Sequence, residues 1–156
     1  MHCRNNIFIA DQGLAFNAFN ASFTILDYNI YKTNGANIAS NNGGTITDFA
    51  SFQAALPLYN NNSLNGDPLF LSPIDFRIVY GQLANDAGDS AVNVLTDIDG
   101  EVRPASGSTR PDIGADEYTP PAYDLGLNRL LSQKGFCFSD TDSVSFEITN
   151  YGLNNL

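Results

Sequence analysis

Charged residues make up only 15% of this 156-residue chain; there is no tryptophan, and histidine and methionine occur once each. Seven basic residues stand against seventeen acidic ones, for a net charge of −10. Nothing here neutralises a run of phosphates, which argues against a nucleic-acid partner. The same deficit argues against docking on an anionic membrane. No apolar run approaches the roughly 20 residues of a membrane span. The sole histidine, His2, lies at the edge of the chain, so Ser-His-Asp and Cys-His catalysis have no support. Cys3 and Cys137 form no CxxC and have no histidine beside them in the pattern of a metal site. They fall in different parts of the chain and are not expected to pair with each other. Cys137 is left free to pair beyond the end of the chain, which suits an oxidising compartment. Asn42-Gly43-Gly44-Thr45 lacks the lysine of a phosphate loop.

What is present is uncharged polarity on an apolar background. Hydrophobic residues reach 43%, too many for a disordered chain. Asparagine occurs 19 times, with 13 glycines. Over residues 1–45, short β-rich runs alternate with Asn, Gly, Ser and Ala. Asn6-Ile7-Phe8 is echoed by Asn29-Ile30-Tyr31, 23 residues later, and Ala21–Leu26 supplies a further strand between them. A period in the twenties points to a solenoid, in which each turn buries its apolar side chains against the next. Asparagine suits its corners, since it tolerates left-handed backbone and its amides stack in hydrogen-bonded ladders.

Residues 46–57 change period. Thr47 is expected to cap a helix with Asp48 in its first turn. Phe49, Phe52 and Leu56 share one face, and Pro57 ends the helix. Residues 58–66 read as a loop. From Asp67 onward, dense punctuation separates short strands at Leu69–Leu71 and Phe76–Tyr80. Thr119-Pro120-Pro121-Ala122 reads as a stiff linker. Leu125–Leu127 and Val144–Ile148 then open a new β-domain. The N-terminus has no signal-peptide pattern and the C-terminus stops as a hairpin begins. The chain therefore reads as part of a larger protein, and the missing signal says little about compartment.

Five motifs in fixed order carry a resemblance. They are Asp67-Pro68-Leu69-Phe70, Asp75-Phe76-Arg77-Ile78, Asn85-Asp86-Ala87-Gly88-Asp89, Asp97-Ile98-Asp99-Gly100-Glu101-Val102-Arg103-Pro104 and Asp112-Ile113-Gly114-Ala115-Asp116-Glu117-Tyr118. Together they resemble the closing region of bacterial choice-of-anchor Q proteins. Gln82-Leu83 departs from that pattern, which usually has Ser-Pro there. The resemblance implies a secreted or surface-attached right-handed parallel β-helix, similar in fold to pectate lyases. Residues 124–150 resemble the start of an immunoglobulin-like module of large adhesive surface proteins. The expected fold is then all-β: the C-terminal end of a right-handed parallel β-helix with one short helix and a turn-rich cap, followed by a truncated β-sandwich. The expected division is 1–118, a Pro-rich linker at 119–123, and 124–156.

Candidate chemistry concentrates between Asp86 and Glu117, where eight acids face two arginines. Asp97, Asp99 and Glu101 alternate around Gly100, a spacing that can wrap a calcium ion with hard oxygen ligands. The stretch fails the EF-hand pattern, however, having Val102 and Ser108 where Gly and Glu are required. Turn capping by aspartate is favoured, with Arg103 or Arg110 pairing with Asp97, Asp99 or Asp112. Asp86 with Asp89, or Asp116 with Glu117, could be proposed as paired carboxylates for glycoside hydrolysis, but acids this common in turns make such pairs easy to find. Phe8, Phe23, Phe70 and Phe76 are expected in the core, while Tyr28, Tyr31, Tyr59 and Tyr80 divide between core and surface. No cofactor is expected, and calcium is the one metal considered. The reading favours a non-catalytic piece of an extracellular or cell-surface protein that is adhesive, structural or bound to a polysaccharide or surface glycan. The alternative is the tail of a polysaccharide lyase or hydrolase whose active site lies upstream.

Overall fold

A computed structural model of the chain describes residues 1–18, 22–79, 81–133, 144–152 and 154. It divides into two compact units, Met1–Thr119 and Pro120–Leu156. Strands dominate its regular structure, with one short helix, so the fold is mainly β. No helix among the described residues is long and apolar enough to cross a membrane.

The first unit begins with two tiers of short strands. The first tier is β1 (His2–Arg4), β2 (Ile7–Ala10) and β3 (Phe16–Ala18). The second is β4 (Ile25–Asp27), β5 (Ile30–Thr33) and β6 (Ala39–Asn41). Each first-tier strand pairs in parallel with its second-tier counterpart. The registers are His2 with Ile25, Ile7 with Ile30 and Phe16 with Ala39, the same offset of 23 residues three times. The echo of Asn6-Ile7-Phe8 in Asn29-Ile30-Tyr31 is thus a register of paired strands.

Left-handed backbone turns the corners between strands. Asn5 (φ 58°) and Tyr28 (φ 55°) occupy equivalent corners of the two tiers, and Asn42 and Asn60 adopt the same geometry. Asparagine accepts this region more readily than most residues. Beside that corner runs a side-chain ladder. Asn29 Oδ1 accepts from Asn6 N and Asn6 Nδ2, both at 3.0 Å. Asn29 Nδ2 donates to the Cys3 carbonyl at 3.0 Å, and Asn29 N donates to Ser63 Oγ at 3.0 Å. Asn29 is fully buried, so these bonds satisfy polar groups that would otherwise be stranded.

The second tier ends differently in different sheets. β6 turns through Asn42-Gly43 into β7 (Gly44–Ile46), which pairs with it antiparallel. The helix α1 (Phe49–Ala55) follows. Its N-cap is Asp48, not Thr47: Asp48 is extended and its Oδ1 accepts from Ser51 N at 2.8 Å. Phe52 is buried, and Phe49 and Leu56 pack around it, as their spacing predicts. The chain then returns as β8 (Leu64–Asn65), a third parallel strand beside β5, inside the stretch expected to be loop.

Alternation along β2, β5 and β8 creates two cores. On one face Phe8 and Tyr31 stack at 5.4 Å with 14° between ring planes, and Phe52 meets Tyr31 edge-on at 5.3 Å. Ile38, Ala39 and Ile46 complete this cluster. On the other face, Ile7, Ile30 and Leu64 form a stripe in register. Ile78, Ala84 and Ile113 from the turn-rich segment cover that stripe. Residues 67–118 therefore pack against the outer face of the sheet and reach back to the first tier, where Arg4 pairs with Asp89 at 2.8 Å. The strands expected at Leu69–Leu71 and Phe76–Tyr80 do not form among the described residues. An isolated bridge between Ser72 and Asp75 stands in that region.

The second unit contains β9 (Leu125–Gln133) and β10 (Val144–Asn150), an antiparallel pair where two strands were expected. Cys3 is a free, half-buried thiol; Cys137 and Tyr80 lie outside the described residues.

Candidate functional site

Aspartates shape the turn-rich segment through their own backbone. Asp67 Oδ1 accepts from Leu69 N, Asp75 Oδ1 from Arg77 N, Asp89 Oδ1 from Ala91 N and Asp97 Oδ1 from Asp99 N. Each contact spans two residues, the aspartate turn that makes Asp common in such loops.

Deeper in, three carboxylates are buried. Glu117 is 1% exposed. Its Oε1 accepts from Ala105 N at 2.8 Å, and its Oε2 from Asp112 N at 2.9 Å and Arg103 Nε at 3.1 Å. The Arg103 fork also donates to the carbonyls of Gly114 (2.9 Å) and Asp112 (2.6 Å). Asp112 accepts from Asn85 Nδ2, Asp86 N and Tyr118 N. Asp116 Oδ2 accepts from Ile78 N at 2.6 Å. Burial pushes all three carboxyls above the ordinary carboxylate range, while the N–H donors pull the other way. Two glycines permit the tight packing around this knot. A Cβ on Gly88 would lie 2.6 Å from the Pro111 carbonyl, and one on Gly114 (φ 122°) would lie 2.9 Å from Ile7 Cδ1.

These bonds decide the fate of the sequence candidates. Asp97, Asp99 and Glu101 share a turn but are not gathered into a metal site among the described residues. Asp97 Oδ1 accepts from the backbone of Asp99 and Glu101, and Oδ2 from Glu117 N. N–H groups thus face both carboxylate oxygens of Asp97. Among the described residues, no three His, Cys, Asp or Glu side chains are gathered as a metal site. Asp86 and Asp89 are held apart in different contacts: Asp86 takes the Ser108 hydroxyl, and Asp89 takes Arg4. Asp116 and Glu117 are engaged as described above. Arg103 pairs with Glu117, not with Asp97, Asp99 or the Asp112 carboxylate. Arg110 donates to the Gly88 and Ala87 carbonyls and lies over the Tyr28 ring at 5.3 Å.

The aromatic expectations divide as well. Phe8 packs against the inner core, Phe23 packs against Phe16 and Tyr59, and Tyr31 is fully buried. Phe76 is 64% exposed, contrary to the expected core position. It meets Phe70 edge-on at 5.2 Å. Phe70 and Phe76 line a groove of about 610 Å³ together with Asn5–Ile9, Ile78, Gly114 and Ala115. A second cleft of about 420 Å³ shares Asn5, Asn6, Gly114 and Ala115 and continues past Val92, Val94 and Ile98. Among the described residues, the lining of the first groove carries no ionisable side chain. Its apolar residues escaped the sequence reading because exposure of a phenylalanine is a tertiary property. The sequence signal available was the density of apolar residues in a segment too short of strands to bury them. Comparison of the chain with protein-family models, curated proteins and solved structures found no match.

Proposed function

We propose that this chain is a non-catalytic part of an extracellular, surface-attached protein. In this reading the tiers of the first unit are coils at the end of a right-handed parallel β-helix, and the second unit begins a β-sandwich of the immunoglobulin-like kind. The role is structural or adhesive, with a surface glycan as the class of ligand. The observation that carries the reading is the 23-residue register repeated in all three parallel pairs of the first two tiers. Stacked coils of constant length generate such a register, because every corner and every strand recurs at one spacing.

The non-catalytic part of the reading rests on the carboxylates. The buried ones accept from backbone amides or Arg103, which leaves them holding loops together. With a net charge of −10 the chain repels polyanions, so an uncharged glycan suits it better than a polyuronate. The test incubates the full chain with polygalacturonate and with neutral polysaccharides. Release of unsaturated uronate or of new reducing ends overturns the non-catalytic role. Retention on a neutral polysaccharide, without cleavage, is the expected result for the adhesive reading.

A further inference from the structure

The junction Asp67–Pro68 joins the last parallel strand to the turn-rich segment. β8 lies beside β5 with Asn65 opposite Tyr31. Asn65 Nδ2 and Gly66 N both donate to the Tyr31 carbonyl, at 2.8 and 3.2 Å. These bonds bring Asp67 beside Lys32, whose Nζ donates to Asp67 Oδ2. Asp67 Oδ1 accepts from Leu69 N at 3.0 Å. The ring closed by that bond runs through the Asp67 carbonyl carbon and the Pro68 nitrogen. The carboxylate is thereby folded back beside the peptide bond that follows it. Leu69 is left-handed (φ 52°), a strained geometry for a bulky residue, and Pro68 is fully buried.

Asp75, Asp89 and Asp97 make the same turn, but their chemistry differs. Asp75 and Asp89 meet arginines, which carry charge and are not amine nucleophiles. Phe76, Ser90 and Ile98 follow these three aspartates, each with a backbone N–H. Proline has none, so its nitrogen cannot attack the side chain before it. Attack by the carboxylate is the intramolecular route left at Asp67. The Lys32 hydrogen bond holds the Asp67 carboxyl below the ordinary carboxylate range, which keeps it in the ionised, nucleophilic form.

We propose that Asp67–Pro68 is a self-processing site, at which the peptide bond is exchanged for an amide between Lys32 Nζ and Asp67 Cγ. In the first step Asp67 Oδ1 attacks the Asp67 carbonyl carbon. The bond to Pro68 N breaks, and the Lys32 ammonium gives that nitrogen a proton. A five-membered cyclic anhydride is left at Asp67. In the second step Lys32, now an amine, attacks Cγ. The ring opens at its C–O bond and leaves Asp67 with an α-carboxylate. The second Lys32 proton goes to Pro68 N, which ends as a charged secondary amine. No water, metal or oxidant is consumed. The amine outcompetes water because it is already held on the carboxylate. Residues 68–119 then stay on the coils through side-chain packing and ion pairs such as Arg4–Asp89.

The test keeps the full chain at neutral pH and physiological temperature and samples it over weeks by denaturing gel and intact mass. Fragments 1–67 and 68–156 are expected, with masses that sum to that of the uncut chain. Trypsin should then release a 68–77 peptide and a 5–67 peptide closed between Lys32 and Asp67. Unfolding in urea should slow the cut about tenfold or more, since the amine is no longer held in place. Lys32→Arg should give no closed peptide, and Asp67→Ala no cut. A folded chain that stays whole overturns the inference. Fragments that together carry one added water also overturn it, since that is ordinary hydrolysis, and so does cutting at the same rate in urea.

Discussion

Glu117 and Glu147 make the same contact in different surroundings, and replacing each by glutamine separates burial from chemistry. In both pairs an arginine Nε lies 3.1 Å from the Glu Oε2. The Arg103–Glu117 side chains are 7% and 0% exposed, whereas those of Arg129–Glu147 are 70% and 42% exposed. Glutamine at 117 keeps the shape but turns one acceptor into a donor facing N–H groups. It leaves Arg103 charged, buried and without its carboxylate. Breaking a buried pair this way costs about 3–5 kcal/mol. For a unit of about this size, each kcal/mol lowers the melting temperature by about 3–4 °C, so Glu117→Gln loses on the order of 10 °C or more. The Ala105 and Asp112 amides, which donate to Glu117, should also lose protection first. Glu147→Gln should cost about 0.5 kcal/mol or less, because water screens an exposed pair. Urea unfolding with residue-resolved amide exchange reads both variants. A loss below about 1 kcal/mol for Glu117→Gln would refute the claim that this carboxylate organises the turn-rich segment.

Other consequences follow from the same contacts. Asn29→Ala removes the buried side chain that serves the half-buried Cys3 carbonyl and Asn6 N–H, and should cost about 1–3 kcal/mol in denaturant unfolding. Tyr31→Phe removes one bond to Asn60 Oδ1, which Ser63 Oγ still serves, so the loss should be about 1 kcal/mol. Gly88→Ala forces a Cβ against the Pro111 carbonyl and should cost about 1–3 kcal/mol or more, with Ile113 and Ala84 losing contact. Asp112 and Asp116 have carboxyls raised by burial, so the folded chain holds their protons more tightly than the unfolded one. Stability should therefore rise as pH falls from 7 toward the unfolded carboxylate values of about 4, then stop rising. Melting temperatures that fall steadily between pH 7 and pH 5 would contradict that sign.

Local chemistry was legible where one residue type does one local job. The apolar spacing of Phe49, Phe52 and Leu56 placed the helix, and only its cap shifted from Thr47 to Asp48. Both aspartate and threonine cap helices, and the choice depends on which side chain can reach the Ser51 amide. Aspartate turns were likewise visible one by one. The expected strands at Leu69–Leu71 and Phe76–Tyr80 failed, among the described residues, for a non-local reason. A β-rich run becomes a strand only where a neighbour accepts its hydrogen bonds, and here Asp67 and Asp75 close turns instead.

The sequence by itself determined the 23-residue repeat, the helix face, the strands after the proline-rich segment and the shortage of basic groups. Those properties follow from spacing and composition along the chain. Only the tertiary structure decided that Glu117 meets Arg103, that Asp97 spends its oxygens on amides, and that Ile7, Ile30 and Leu64 form one stripe under Ile78 and Ile113. It alone left Phe76 at the rim of a groove. A carboxylate's role depends on which donors reach it, and those donors come from residues far apart in the chain.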